Sequence, residues 1–181
     1  MPETAADAYG NALTMGRPPF ADVIDAFNYL SRFGEVQLTG DYLDKVISTY
    51  TGRLNPNDRR SLEILQARVL MDSGQTADGA GLLREVIQAD PTNGDALLSL
   101  ANYYRQQQDF ERADIFFQRA ESEEEVALEA LTAHAQMATD REDWQSGIAL
   151  LRQAGQHAMP DSLLIIEENI KALERLLTLL E

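Results

Sequence analysis

The chain has 181 residues, of which 44% are hydrophobic, enough for one domain or one continuous solenoid with a core. Its formal charge is −15, spread as −3 over residues 1–59, −7 over 60–127 and −5 over 128–181, so the acidity is not a detachable tail and argues against nucleic acid and anionic lipid as direct partners. There is no cysteine, which excludes disulfides, thiol catalysis and cysteine metal sites.

The elements follow in chain order. Residues 4–14 are Ala-rich and predict a short helix, stopped by Gly16, Arg17, Pro18 and Pro19. Residues 21–32 follow, with Val23, Ile24, Phe27 and Leu30 at helical spacing and Gly34 expected as a C′ glycine. Gly40 and Asp41 are expected to open the next helix, which runs to about Arg53 and turns Leu43, Val46, Ile47 and Tyr50 inward. Asn55 to Asp58 closes it, and Asp58 is expected to cap a helix over 59–73. Helices are then predicted over 77–89, 95–107, 110–121, 126–140 and 144–158, with a turn cluster at Asp90 to Gly94. Glu121, Glu123, Glu124 and Glu125 form an acidic knot whose carboxylates suit the N-terminal dipole of a helix beginning near Glu124.

A last helix is predicted from Ser162 to about Leu180. Leu163, Ile166, Ile170, Leu173, Leu177 and Leu180 keep 3-4-3-4-3 spacing, and Leu164, Ile165, Leu176 and Leu179 lie off that stripe. Two apolar surfaces imply two neighbours. One is the preceding helix pair; the other is a second copy, a partner chain or a further repeat. The 3-4 stripe is the expected self-association face.

Between residues 60 and 161 the chain repeats with a period of 34 and no insertion. Ala67, Ala101 and Ala135 align, as do Gly79, Ala113 and Gly147. Leu83, Phe117 and Leu151 align, and so do Val86, Ala120 and Ala154. Gln75, Asp109 and Asp143 mark the turns. Four of these columns stay small or stay large and apolar, as packing positions must. Two helices of a pair approach closely only where side chains are small, and large residues at i, i+3 and i+4 fill the seam.

The stretch resembles a tetratricopeptide repeat, whose signature is W-x2-L-G-x2-Y, then A-x3-F, then P. The middle unit, 94–127, carries Leu97, Leu100, Ala101, Tyr104, Ala113 and Phe117 in those places and lacks the closing Pro. The unit over 60–93 has Ala67, Leu70, Gly79, Leu83 and Pro91, with Glu63 and Gln66 where apolar residues are usual. The unit over 128–161 has Leu131, Ala135, Ala138, Gly147 and Leu151; His134 replaces the usual Leu and Pro160 comes one residue late. Residues 1–59 hold the N-terminal helices, including a degenerate repeat in which Gly40-Asp41-Tyr42 echoes Gln108-Asp109-Phe110. The resemblance implies an all-α, right-handed superhelical solenoid of antiparallel helix pairs, with residues 162–181 as a capping or association helix.

No catalytic constellation is legible. His134 and His157 fall on different helices; His134 sits in a packing column and reads as a satisfied core histidine. Phosphate loops, H-E-x-x-H and G-x-S-x-G are absent, and no metal or cofactor is expected. Trp144 follows the turn aspartate as Phe110 does and reads as core.

The resemblance implies that the first helix of each pair lines a concave groove holding a peptide or partner helix. The positions it implies are Ile64, Arg68, Met71 and Asp72, then Leu98, Asn102, Arg105 and Gln106, then Thr132, Gln136, Thr139 and Asp140. Arg68 and Arg105 suit carboxylate capture, and Asn102 and Gln136 can bridge a peptide backbone. A structural alternative pairs both arginines with Asp72 and Asp140 on neighbouring helices. Glu129 and Ala133 stand where the family's chaperone-tail clamp would need basic residues, so that adaptor role is not expected.

The expected function is thus a non-catalytic protein-interaction scaffold. Its alternatives are an assembly subunit that self-associates or extends through the Leu-rich last helix, or a regulatory module of a larger protein. No apolar run is long enough to span a membrane, and the N-terminus lacks a basic n-region, so the expected location is the cytoplasm, or an exported protein without its leader.

Overall fold

The computed structural model describes residues 2–34 and 36–180 and, for Pro2 and Leu180, the backbone alone. Those residues form ten α-helices and no strand: α1 Pro2–Gly16, α2 Phe20–Phe33, α3 Val36–Tyr50, α4 Pro56–Asp72, α5 Thr76–Ala89, α6 Gly94–Gln106, α7 Phe110–Glu121, α8 Ala127–Asp140, α9 Trp144–Ala154 and α10 Pro160–Leu180. Residues pack as two units, Met1–Val86 and Ile87–Glu181, divided within α5.

In the first unit α3 packs against α1, α2 and α4. Leu13, Val23, Phe27, Leu30, Leu43, Val46, Leu62 and Leu65 form its core. Burial raises the Tyr42 phenol to about 12, with the Tyr50 and Tyr9 hydroxyls adding to the effect, so it stays neutral. The Tyr50 hydroxyl donates to the Pro18 carbonyl and ties the end of α3 to the Pro-Pro turn.

In the first unit the boundaries at α2, α3 and α4 differ from the sequence reading. Helix α3 starts at Val36, so Gly40 is interior; a Cβ there would sit 3.8 Å from Val69, which shows how near α4 comes. Gly34 ends α2 in extended backbone, with φ −97 and ψ 177, rather than in the left-handed region. A glycine is still required, because a Cβ would lie 2.6 Å from the Leu30 carbonyl oxygen. Helix α4 is capped by Asn55, whose side chain accepts from the Asp58 amide at 2.9 Å, and not by Asp58. Pro56 explains the shift: its fixed φ suits the first helical position, where a missing N–H costs nothing.

The period of 34 reappears as geometry. Gly74, Gln108 and Glu142 are one period apart and all have left-handed backbone, with φ of 89, 59 and 62. In each turn the following amide, of Gln75, Asp109 or Asp143, donates back to the carbonyl of Leu70, Tyr104 or Ala138, at 2.8 to 2.9 Å. Asp109 and Asp143 then cap α7 and α9, accepting from Arg112 and Ser146. Those side-chain and backbone bonds hold both carboxyls below the usual carboxylate range.

The small columns are contact points. Ala67, Ala101 and Ala135 are buried, as are Gly79, Ala113 and Gly147. A Cβ on Gly79 would meet the Ala67 carbonyl oxygen at 2.5 Å and Met71 at 2.8 Å. One on Gly147 would meet Thr139 at 2.7 Å.

In the second unit α6 pairs with α7, α8 with α9, and α10 covers α9. The acidic knot does not open α8. Residues 122–126 form a turn seated on Gly94, where a Cβ would lie 2.6 Å from Val126, and α8 begins at Ala127. Helix α9 stops at Ala154, four residues short of expectation; Gly155 caps it and leaves room for Leu163 of α10. His157 therefore lies in the turn that follows.

His134 links α8 to α7. Its Nδ1 is 2.6 Å from Glu121 and its Nε2 3.1 Å from Asp114, and its ring stacks on Phe117. Arg141 approaches Asp114 at 4.0 Å from beyond α8. Two carboxylates can both accept only if both ring nitrogens donate, so this geometry selects the imidazolium. Burial pulls the pKa down, but the Glu121 and then the Asp114 bonds and charges outweigh it, and the net shift is upward.

Two sets of outcomes follow for stability. Gly79→Ala is expected to cost about 1–3 kcal/mol by forcing α4 and α5 apart. Gln108→Gly and Glu142→Gly are each expected to add about 0.5–1 kcal/mol by relieving a side chain from left-handed backbone. Urea unfolding of the three variants checks both signs. The His134 pKa is raised, so its contribution is complete below the unfolded value of about 6.5 and is lost as pH rises through the folded value. Melting temperatures measured from pH 5 to pH 9 should fall over that window, and His134→Gln should flatten the profile.

Candidate functional site

Helices α6 and α8 are neighbours in the second unit, and α10 lies beyond α8 against α9. Helices α6 and α8 each carry the expected groove line at spacing i, i+4, i+7, i+8. On α6 it is Leu98, Asn102, Arg105 and Gln106; one period later on α8 it is Thr132, Gln136, Thr139 and Asp140. Leu98 is buried and serves packing, whereas Asn102 and Arg105 are half-buried and Gln106 is exposed. On α8 Thr132, Gln136 and Asp140 are exposed, and Thr139 is half-buried.

A cleft of about 440 Å³ opens between α8 and α10. Thr132, Gln136, Thr139 and Asp140 form one wall, and Asn169, Ala172 and Leu173 the other. Ala135, Trp144 and Leu151 lie beneath. The expected residues Thr132, Gln136 and Asp140 are thus brought together. Trp144 is half-buried, part floor and part core. Asn169 and Ala172 were missed: which line of α10 meets α8 depends on how the helix is rotated, and that is set by Leu163 at Gly155 and Leu173 near Gly147.

The wall is rich in acceptors. Gln136 Nε2 donates to Asp140 at 2.7 Å. The Thr132 hydroxyl donates to the Leu128 carbonyl and that of Thr139 to Gln136, which leaves both hydroxyl oxygens able to accept. The pairing of Asp140 with an arginine on a neighbouring helix is not what forms; its partner is Gln136 on its own helix.

Arg68 and Met71 belong to the first unit. Arg68 acts on Asp72, one turn on along the same helix. Burial raises the Asp72 pKa and the Arg68 charge opposes it. Met71 is half-buried, its Cγ 2.8 Å from where a Gly79 Cβ would stand.

The stripe expected to self-associate has another use. Ile166 is only 5% exposed, and it packs with Ile170 and Leu173 among Leu131, Ala135, Leu151 and Ala154. Leu163 lies against Gly155, Leu177 is half-buried, and the Leu180 side chain lies outside the described residues. The stripe covers the end of the last helix pair, which must bury an apolar face somewhere. Among the described residues no group of three or more His, Asp or Glu is placed to hold a metal ion. No helix among them is long and apolar enough to cross a membrane.

No curated protein matches the chain. Residues 70–137 match the model of the tetratricopeptide repeat, a module that generally mediates protein–protein interaction and is typically non-catalytic. The match runs from the end of α4 to α8 and includes the left-handed turns at Gly74 and Gln108 and the close-packed columns at Gly79, Ala101, Ala113 and Ala135. The similarity to the tetratricopeptide repeat thus spans residues 70–137 of this all-α chain.

Proposed function

We propose that the protein is a non-catalytic scaffold whose α8–α10 cleft holds a segment of a protein partner. The observation that carries this reading is the cleft's make-up: an apolar floor of Ala135, Trp144 and Leu151 beneath a wall of hydroxyl, amide and carboxylate acceptors. Such a surface suits an extended or helical segment that sets an apolar side chain on the floor and points donors at the wall. Asp140 favours a basic residue there. The Arg105 side of α6 offers the opposite charge, so a segment continuing along α6 would meet Asn102 and Arg105 with an acidic or carbonyl group. The acidic surface adds steering of a basic partner at low salt.

The test fills the cleft without touching the core. Thr132→Arg/Gln136→Arg places two long cations at exposed positions of the wall. A partner captured from native extract by the wild type and identified by mass spectrometry is then titrated against both proteins. The double variant is expected to bind at least tenfold more weakly, the loss of one or two central contacts, with unchanged helicity and melting. Equal affinity of the two proteins would overturn the cleft as the binding surface.

A further inference from the structure

Helix α10 places one apolar line against α9 and leaves a second in water. The second runs Ile165, Asn169, Ala172, Leu176, Leu179 at 4-3-4-3 spacing, and all five residues are exposed. Ile165 is 60% exposed, Leu176 38% and Leu179 85%. At 3.6 residues per turn the two lines lie roughly 120° apart, so covering the second leaves the first in place.

We propose that the second line is covered by the same line of a second copy of this chain, running antiparallel. Charge complementarity along the helix selects this occupant. Glu168 and Arg175 stand on one flank of the line, seven residues apart, and neither has an ion-pair partner among the described residues. The neighbouring Glu174 is taken by Arg152 at 2.8 Å. When Ile165 is set opposite the partner's Leu176, and Asn169 opposite the partner's Ala172, Glu168 of each helix falls beside Arg175 of the other. The two-fold axis makes that pairing twice. A parallel pair gives neither contact, because Glu168 then faces Leu173 of the other helix.

Asn169 fixes the register. It is the one polar residue of the line, and the antiparallel two-fold brings both copies of it into adjacent layers, where each carboxamide can donate to the other. A slip of one turn in one sense sets it opposite Leu176 of the second copy with no partner, and a slip in the other sense separates Glu168 from Arg175. The seam from Ile165 to Leu179 is about 22 Å long, which is short, so the association falls in the micromolar range and depends on concentration.

Sedimentation equilibrium of the full chain, from low micromolar to submillimolar, reads this directly. The mass is expected to climb from 20.2 kDa toward twice that value. Leu176→Glu, with Ile165→Gln as a milder second variant, should weaken association at least tenfold. Glu168→Arg and Arg175→Glu should each weaken it about threefold, and the double exchange should restore it, as expected for a rim ion pair. The exchanges lie at exposed positions, and circular dichroism checks that helicity is kept. Asn169 and Ala172 also edge the cleft, so the Thr132→Arg/Gln136→Arg variant separates the two surfaces: it should lose the partner and still dimerise. A wild type that stays monomeric throughout overturns the proposal, as it would if a different chain or a further segment covered the line. So does association indifferent to Leu176→Glu, or a double exchange that fails to restore it.

Discussion

Everything in the repeat stretch depends on how closely two helices of a pair can approach. The limit is set at one contact per pair, where Gly79 faces the Ala67 carbonyl and Gly147 faces Thr139 and Ala135. With a Cβ at 2.5 Å from a carbonyl oxygen, α5 would have to move off α4, and close packing lets such a shift spread through the pair. The middle pair tolerates Ala113 at the same place, so the columns are graded rather than uniform.

The turns are the second constraint. A backbone in the left-handed region at Gly74, Gln108 and Glu142 reverses the chain within a few residues, and at the last two it sets Asp109 and Asp143 at the start of the second helix. Gly74 meets that geometry at no steric cost, while Gln108 and Glu142 meet it with a side chain and are held there by the repeated amide-to-carbonyl bond. His134 adds a link of another kind. Where the repeat would place leucine, an imidazole between Glu121 and Asp114 joins α8 to α7, and its two carboxylate neighbours favour the protonated form.

Much of this was legible in the sequence. The period, the small columns, the turn column and the last helix all follow from residue types whose chemistry is local: a glycine where no Cβ fits, a polar residue where the chain turns; the one cap read from the sequence, Asp58, gave way to Asn55. What was not legible was rotation and neighbourhood. The 3-4 stripe of α10 has the spacing of an association seam, yet Ile166 and Leu173 pack beneath it against Leu151 and Ala135. Spacing identifies a face but not its neighbour. Leu98 likewise stands in the groove register and is buried, while Thr132, one period later, is open. His134 was expected as a satisfied core residue, and it is satisfied, but by two carboxylates that no local pattern brings to it.

The central claim is that the wall of α8 beside α10 is where a partner is held. The most direct measurement puts a photo-reactive amino acid at Gln136 and, separately, at Glu111, which is exposed on α7. Both proteins are irradiated in native extract. The account predicts a discrete covalent adduct from position 136 and none from position 111. An adduct from position 111 alone, or equal labelling from both, would contradict it.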